Sequence, residues 1–252
     1  MLKLHVRLKL IALCATLICS ITACGEVTPK WNSPKTVSLE VMKSVLPTSL
    51  DLEAYSSLNQ FSSKKPSDDV LVGFFANSDN SIEFSPKSCV ESDSYLTRDD
   101  FWVTSASNAT NNMTNGISRV WDAGEGWRLK VLIVGDKNTS NDSYLMEDIS
   151  TELASCKVVA VQTKTLMWSS VVEKFDVSSD SMRIEFKMLF TPGNSVTKGI
   201  KIVQQVGRNL VSVTVARSGK GFSTDFPIPT DVEKDMNALL MKISEGINQR
   251  GK

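Results

Sequence analysis

Five cysteines and a single histidine bound the reactive side chains of this chain of 252 residues. Cys24 closes the segment Ile21-Thr22-Ala23-Cys24, which has the form of a bacterial lipobox. In that pattern a small residue precedes a cysteine whose sulfur is lipidated, and cleavage between Ala23 and Cys24 makes the cysteine the first residue of the mature protein. Two acyl chains on that sulfur anchor stably where one does not. The same residues also allow an ordinary secretory cleavage near Ala23 that leaves a free thiol, or an uncleaved anchor. Cys14 and Cys19 leave with the leader, so Cys89 and Cys156 remain as the only other pair, in an oxidising compartment. A bridge between them closes a long loop, worth about 4 kcal/mol in the chain-entropy model before strain. The alternative is two separate buried thiols; the compartment favours the bridge.

His5 is the one histidine, and it too lies in the leader. A mature chain from Cys24 has no imidazole, which excludes Ser-His-Asp and Cys-His catalysis, His-ligated zinc and histidine pH switching. The remaining motifs are weak. Ser62-Ser63-Lys64-Lys65 fits Ser-x-x-Lys, but Ser-Asp-Asn and Lys-Thr-Gly are missing and the stretch reads as a polar loop. Ser218-Gly219-Lys220-Gly221 lacks the full phosphate-loop frame and reads as a turn. Asn77, Asp79 and Ser81 alternate oxygens without the glycine and terminal acid of a calcium loop, and Asp176 and Asp180 read as solvated loop acids. No catalytic residue, metal site or cofactor is expected. Trp121 and Trp168, near strand ends, are the candidate ligand contacts at a cleft rim, whereas Trp127 reads as core.

These residues need elements to hold them. Lys3, Arg7 and Lys9 precede an apolar run from Leu10 to Ile21, too short to span a bilayer comfortably. Residues 1–23 are thus read as a signal peptide. Residues 24–35, polar with two prolines, read as a tether and 36–252 as one domain. Removing the leader turns 28 cations and 28 acids into 25 and 28, with no basic block, so nucleic acid is not an expected partner.

Val37, Val41 and Val45 predict a short helix stopped by Pro47, with a further turn or two over 49–58 and a polar loop over 62–69. Val70 to Ala76 and Phe101 to Ser105 predict strands, and Asn108 to Gly116 a hairpin loop. Trp127, Leu129, Val131 and Ile133 alternate as a half-buried strand. Leu145, Ile149, Leu153 and Cys156 form one stripe of a helix over 141–156. Ile184, Phe186, Met188 and Phe190 alternate before a turn at 191–194, and strands 202–206 and 210–215 form a hairpin around Gly207-Arg208-Asn209. Thr230 and Glu233 suggest a capping box ahead of a stripe of Val232, Met236, Leu239, Leu240, Ile243 and Ile247. The expected fold is α+β, an antiparallel sheet with helices packed against it in an α/β sandwich.

Val45-Leu46-Pro47-Thr48, the helix end Ser155-Cys156, and Gly207-Arg208-Asn209-Leu210-Val211-Ser212-Val213 before a C-terminal helix carry a resemblance. Cys89 after Ser85-Pro86 adds to it. The chain resembles the extracytoplasmic sensor domain of mycobacterial membrane-bound serine/threonine protein kinases, and stand-alone actinobacterial lipoproteins that carry this domain. The resemblance spans most of 36–250. It implies an α/β sandwich with a ligand cleft and no transferred catalytic residue. The family's second cysteine pair has no counterpart at Val215-Ala216-Arg217-Ser218, so at most one bridge carries over.

The expectation is a non-enzymatic, lipid-anchored module on the extracytoplasmic face of the cell membrane that binds a small molecule or an envelope protein. An envelope assembly lipoprotein and a histidine-independent enzyme are the competing readings.

Overall fold

The computed structural model describes residues 36–72, 83–89, 113–136, 150–162, 167–221 and 228–251, except 152 and 192. Alternation of apolar and polar residues makes strands here because period-two patterning puts one set of side chains on each sheet face. Nine such strands are described: β1 (Ser67–Val72), β2 (Glu83–Ser85), β3 (Met113–Asp122), β4 (Trp127–Asp136), β5 (Val158–Gln162), β6 (Met167–Val177), β7 (Ser181–Thr191), β8 (Ser195–Val206) and β9 (Asn209–Lys220). They form one antiparallel sheet in the order β1-β3-β4-β9-β8-β7-β6-β5-β2. Among the described residues α1 (Leu39–Val45), α2 (Ser49–Leu52) and α3 (Thr230–Arg250) accompany it.

The expected α+β sandwich is the observed fold. The β8–β9 hairpin pairs Val206 with Asn209, leaving Gly207 and Arg208 as a two-residue turn. Gly207 has φ 60°, the positive value that the first central position of a type II′ turn requires. The turn after β7 also stands where the sequence places it, with Phe190 opposite Ser195.

All six residues of the α3 stripe are buried, and the helix packs on β8 and β9. Ile117, Trp121, Leu129, Val131, Ile133, Ile200, Ile202, Val211, Val213 and Val215 meet it in one core, which Leu52, Leu58 and Phe61 extend. Polar contacts run along the helix and lock it in place. Arg183 donates to both Glu233 oxygens at 2.6 and 2.9 Å. Ser57 donates to Asp235 through its backbone N–H at 2.8 Å and its hydroxyl at 2.7 Å. Lys242 donates to Asp51 at 2.7 Å, Ser244 to Gln204 at 2.8 Å, and Arg250 to the Ser44 carbonyl at 2.9 Å.

Several expectations are corrected. Glu233 does not close a capping box: the N-cap is Pro229, whose ring has no acceptor to offer, and the Glu233 carboxylate is held by Arg183. The capping box sits instead at Thr48 and Asp51, at the start of α2. In α1 the buried face is Met42, with Val37 and Leu46 beyond the helix ends, while Val41 and Val45 are half-buried. The polar loop over 62–69 gives way to β1 at Ser67, an edge strand that tolerates polar side chains. The loop over 108–116 is strand from Met113. Ser218, Gly219 and Lys220 are not a turn; they end β9, paired with Thr197, Val196 and Ser195. Asp176 is no loop acid either: it lies in β6, 3.2 Å from Lys174. The expected leader, Cys24, the expected tether, residues 73–82 with Asn77, Asp79 and Ser81, residues 101–105 expected as a strand and residues 141–149 of the expected helix lie outside the described residues.

Two carboxylates, Asp51 of α2 and Asp68 of β1, give an acid response. Burial alone would raise Asp51, but hydrogen bonds from Lys242 and Thr48 outweigh it and hold its carboxyl at about 2, from an ordinary 3.8. The Arg119 guanidinium lowers Asp68, against the opposing effect of burial. Groups depressed by folding add stability above their unfolded pKa and lose it as pH falls through the folded one. Stability is therefore expected to decline between about pH 4 and pH 2, by less than about 2 kcal/mol for both groups because each is partly solvated. Urea midpoints across that range check it: an Asp51→Asn, Asp68→Asn double variant should show a shallower decline than the parent.

Candidate functional site

Over β8 and β9 the α3 face of the sheet is covered by the helix and its polar contacts. Candidate chemistry is therefore sought on the opposite face. There the strands present two kinds of residue. Over β6 and β7 the face is apolar: Val172, Met182, Ile184 and Phe186 are buried with Leu132, Val134, Val203, Leu210, Ala216 and the helical Leu153. Gly199 makes room for this packing, since a Cβ there would stand 2.3 Å from the Phe186 ring.

On β8, β9 and β4 polar residues stand among these apolar ones. The pairing Lys130–Thr214–Lys201 sets two lysines on either side of one threonine in a single row across three strands. One step along, Ser212 stands between Leu132 and Val203. Lys201 is fully buried, and Ser212 and Thr214 are 2 % and 9 % exposed. The hydroxyl oxygens of Ser212 and Thr214 have no hydrogen-bond partner. Buried hydroxyls are normally paired, because leaving one unpaired costs its lost hydration. Both lysines have partners of their own. At the row's margin Arg128 pairs with Asp122 at 2.7 Å.

The two tryptophans expected at one cleft rim are separated by the sheet. Trp121 belongs to the α3-side core, is fully buried, and donates its indole N–H to the Ser49 hydroxyl at 3.2 Å. Its place in β3, paired with Leu129, points it under α2 and away from any rim. Trp168 is on the opposite face, half-buried against Val159, Val161 and the two cysteines, with its ring centroid 6.4 Å from that of Phe190. Cys89 and Cys156 are joined by a disulfide with Cα atoms 5.5 Å apart. It fastens the short helical turn after β2 beside the outer strands β5 and β6. Trp127, expected in the core, is half-buried with the Arg217 guanidinium 5.3 Å above its ring.

The polar row was missed in the sequence because Lys201 sits in the apolar run Ile200-Lys201-Ile202-Val203. A lysine inside such a run was itself the available signal: a charge on a strand flanked by two others is rarely buried without a reason.

No protein-family model matches the chain. No curated protein matches it. Among solved structures the chain is similar to the extracellular domain of PknH from Mycobacterium tuberculosis, with a TM-score of 0.57 and 11% identity over 86% of this chain and 100% of that one. It also aligns with an uncharacterized protein of Mycobacterium smegmatis, at 13% identity over 86% of this chain and 99% of that one. That TM-score, 0.39, is too low to support an argument about the fold. The likeness to the PknH domain establishes a shared fold.

Proposed function

We propose that the protein is a lipid-anchored module on the extracytoplasmic face of the cell membrane, non-enzymatic, which binds a small molecule in the manner of a sensor domain. The observation that carries this reading is the fold likeness to a whole extracellular domain. The lipobox at Ile21-Thr22-Ala23-Cys24 adds to it. Among the described residues no helix is long and apolar enough to cross a membrane, and a lipid on Cys24 is the proposed attachment.

Docking of an envelope protein is the less favoured reading. Among the described residues the exposed large apolar side chains Leu50, Val70, Val158, Met167, Val177 and Met241 are scattered over α2, β1, β5, β6 and α3. Singly exposed apolar side chains are ordinary, whereas a docking surface gathers them into a patch.

Cys24→Ala is expected to shift the protein from the membrane fraction to a soluble or unprocessed form, and to abolish incorporation of radiolabelled palmitate. A variant that stays membrane-bound at the mature size refutes the anchor. Protease added to intact cells should degrade the parent protein, and protection would place it on the wrong side of the membrane.

A further inference from the structure

We infer that Lys130, Thr214 and Lys201, with Ser212 one row along, form a subsite for an oxyanionic group, a carboxylate or phosphate, on the ligand. This rests on the ligand-binding reading above and names the chemistry that this face selects. Strand spacing puts the two lysine backbones about 10 Å apart with Thr214 midway. Directly opposed residues on one face are side-chain neighbours, so the two stems flank the threonine hydroxyl.

Every one of these four side chains can donate a hydrogen bond, and the lysines can only donate. Among their described neighbours on this face, Val120 and Ile184 flank the lysines, Leu132 and Val203 flank Ser212, Ala216 and Gly199 flank the other side of Thr214, and the Ser118 hydroxyl stands beyond Leu132; none is a carboxylate. The nearby carboxylate of Asp122 is held by Arg128 at 2.7 Å. Because both lysines have other partners, the weight of the inference falls on the two hydroxyls, which are buried and unpaired. A cluster of donors beside positive charge is complementary to an acceptor-rich anion. Hydrogen bonds to such a group are the strong, charge-assisted kind. The adjoining apolar bed under Phe186 makes the site polar on one side only.

Calorimetric titration of the full chain in a neutral detergent tests this with three probes: inorganic phosphate, decanoate and uncharged decanol. The parent should bind phosphate or decanoate, and which of them binds tells a free oxyanion from the head of an acyl chain. Decanol should bind at least tenfold more weakly. A Ser212→Ala, Thr214→Val double variant should lose at least tenfold in anion affinity, yet melt at the same or a higher temperature without ligand, since it removes two unpaired buried hydroxyls. Lys201→Met should lose binding as well; if it fails to fold, the hydroxyl variant still decides. Absence of binding by both anions, equal binding of decanol, unchanged affinity in the hydroxyl variant, or its melting several degrees lower without ligand would overturn the subsite. None of these outcomes bears on the membrane anchor, which the Cys24→Ala fractionation scores separately.

Discussion

Trp121→Ala is expected to destabilise the domain by about 3–5 kcal/mol, the usual range for emptying a buried large aromatic site. Trp121 is the largest fully buried side chain among the described residues. It shares the α3-side core with Leu52, Leu58, Phe61 and Leu129. Truncation removes the ring's transfer free energy and leaves a cavity that a helix held by Arg183–Glu233 and Lys242–Asp51 cannot easily collapse into. Trp121→Phe should cost less. It keeps most of the apolar volume and loses the bond to Ser49, which alone is worth about 0.5–1.5 kcal/mol. Urea unfolding at constant m-value measures both. A Trp121→Ala loss below about 1 kcal/mol would contradict the core assignment, because such a value is typical of exposed positions.

Removing the disulfide should have the second large effect. The two cysteines are 67 residues apart in sequence, so the bridge restrains a long loop in the unfolded chain. The chain-entropy model gives about 4 kcal/mol for a loop of that length. A Cys89→Ser, Cys156→Ser double variant is therefore expected to unfold at a lower urea concentration by an amount equivalent to about 2–4 kcal/mol, as measured for native disulfides. Reductant added to the parent should reproduce most of that loss if the buried bridge is reached. Non-reducing peptide mapping is the direct control. A linked Cys89–Cys156 pair supports the assignment, and two alkylatable thiols reject it. The effect should be local in its earliest stage, since the bridge secures β2 and the outer strand β5 beside Trp168. Hydrogen exchange should accelerate first in Val158–Gln162, next to the edge strand β2, and last in β8 and β9, the central strands that α3 covers.

Much of this architecture is legible in the chain. The stripe from Val232 to Ile247 could only be one face of a long helix, and its apolar content demanded a sheet to cover it. The β8–β9 hairpin follows from Gly207 between two apolar alternations, because few residues accept the positive φ that a tight hairpin needs. The single histidine, His5, and the five cysteines follow from counting. All are local properties, in which residues a few positions apart decide the outcome.

Other features are set by contacts between distant residues. Glu233 has the spacing of a capping box from Thr230, but Arg183, 50 residues away, holds it more strongly. Trp121 and Trp168 look equivalent as aromatics near strand ends; the order β1-β3-β4-β9-β8-β7-β6-β5-β2 and strand register put them on opposite faces. The row Lys130–Thr214–Lys201 joins three strands, two of which are separated in sequence by β5, β6 and β7. Alternation states that side chains in a strand point to opposite faces, but it does not state which strands lie side by side. That depends on which long-range pairing buries the most apolar surface across the whole sheet, and only the folded chain settles it.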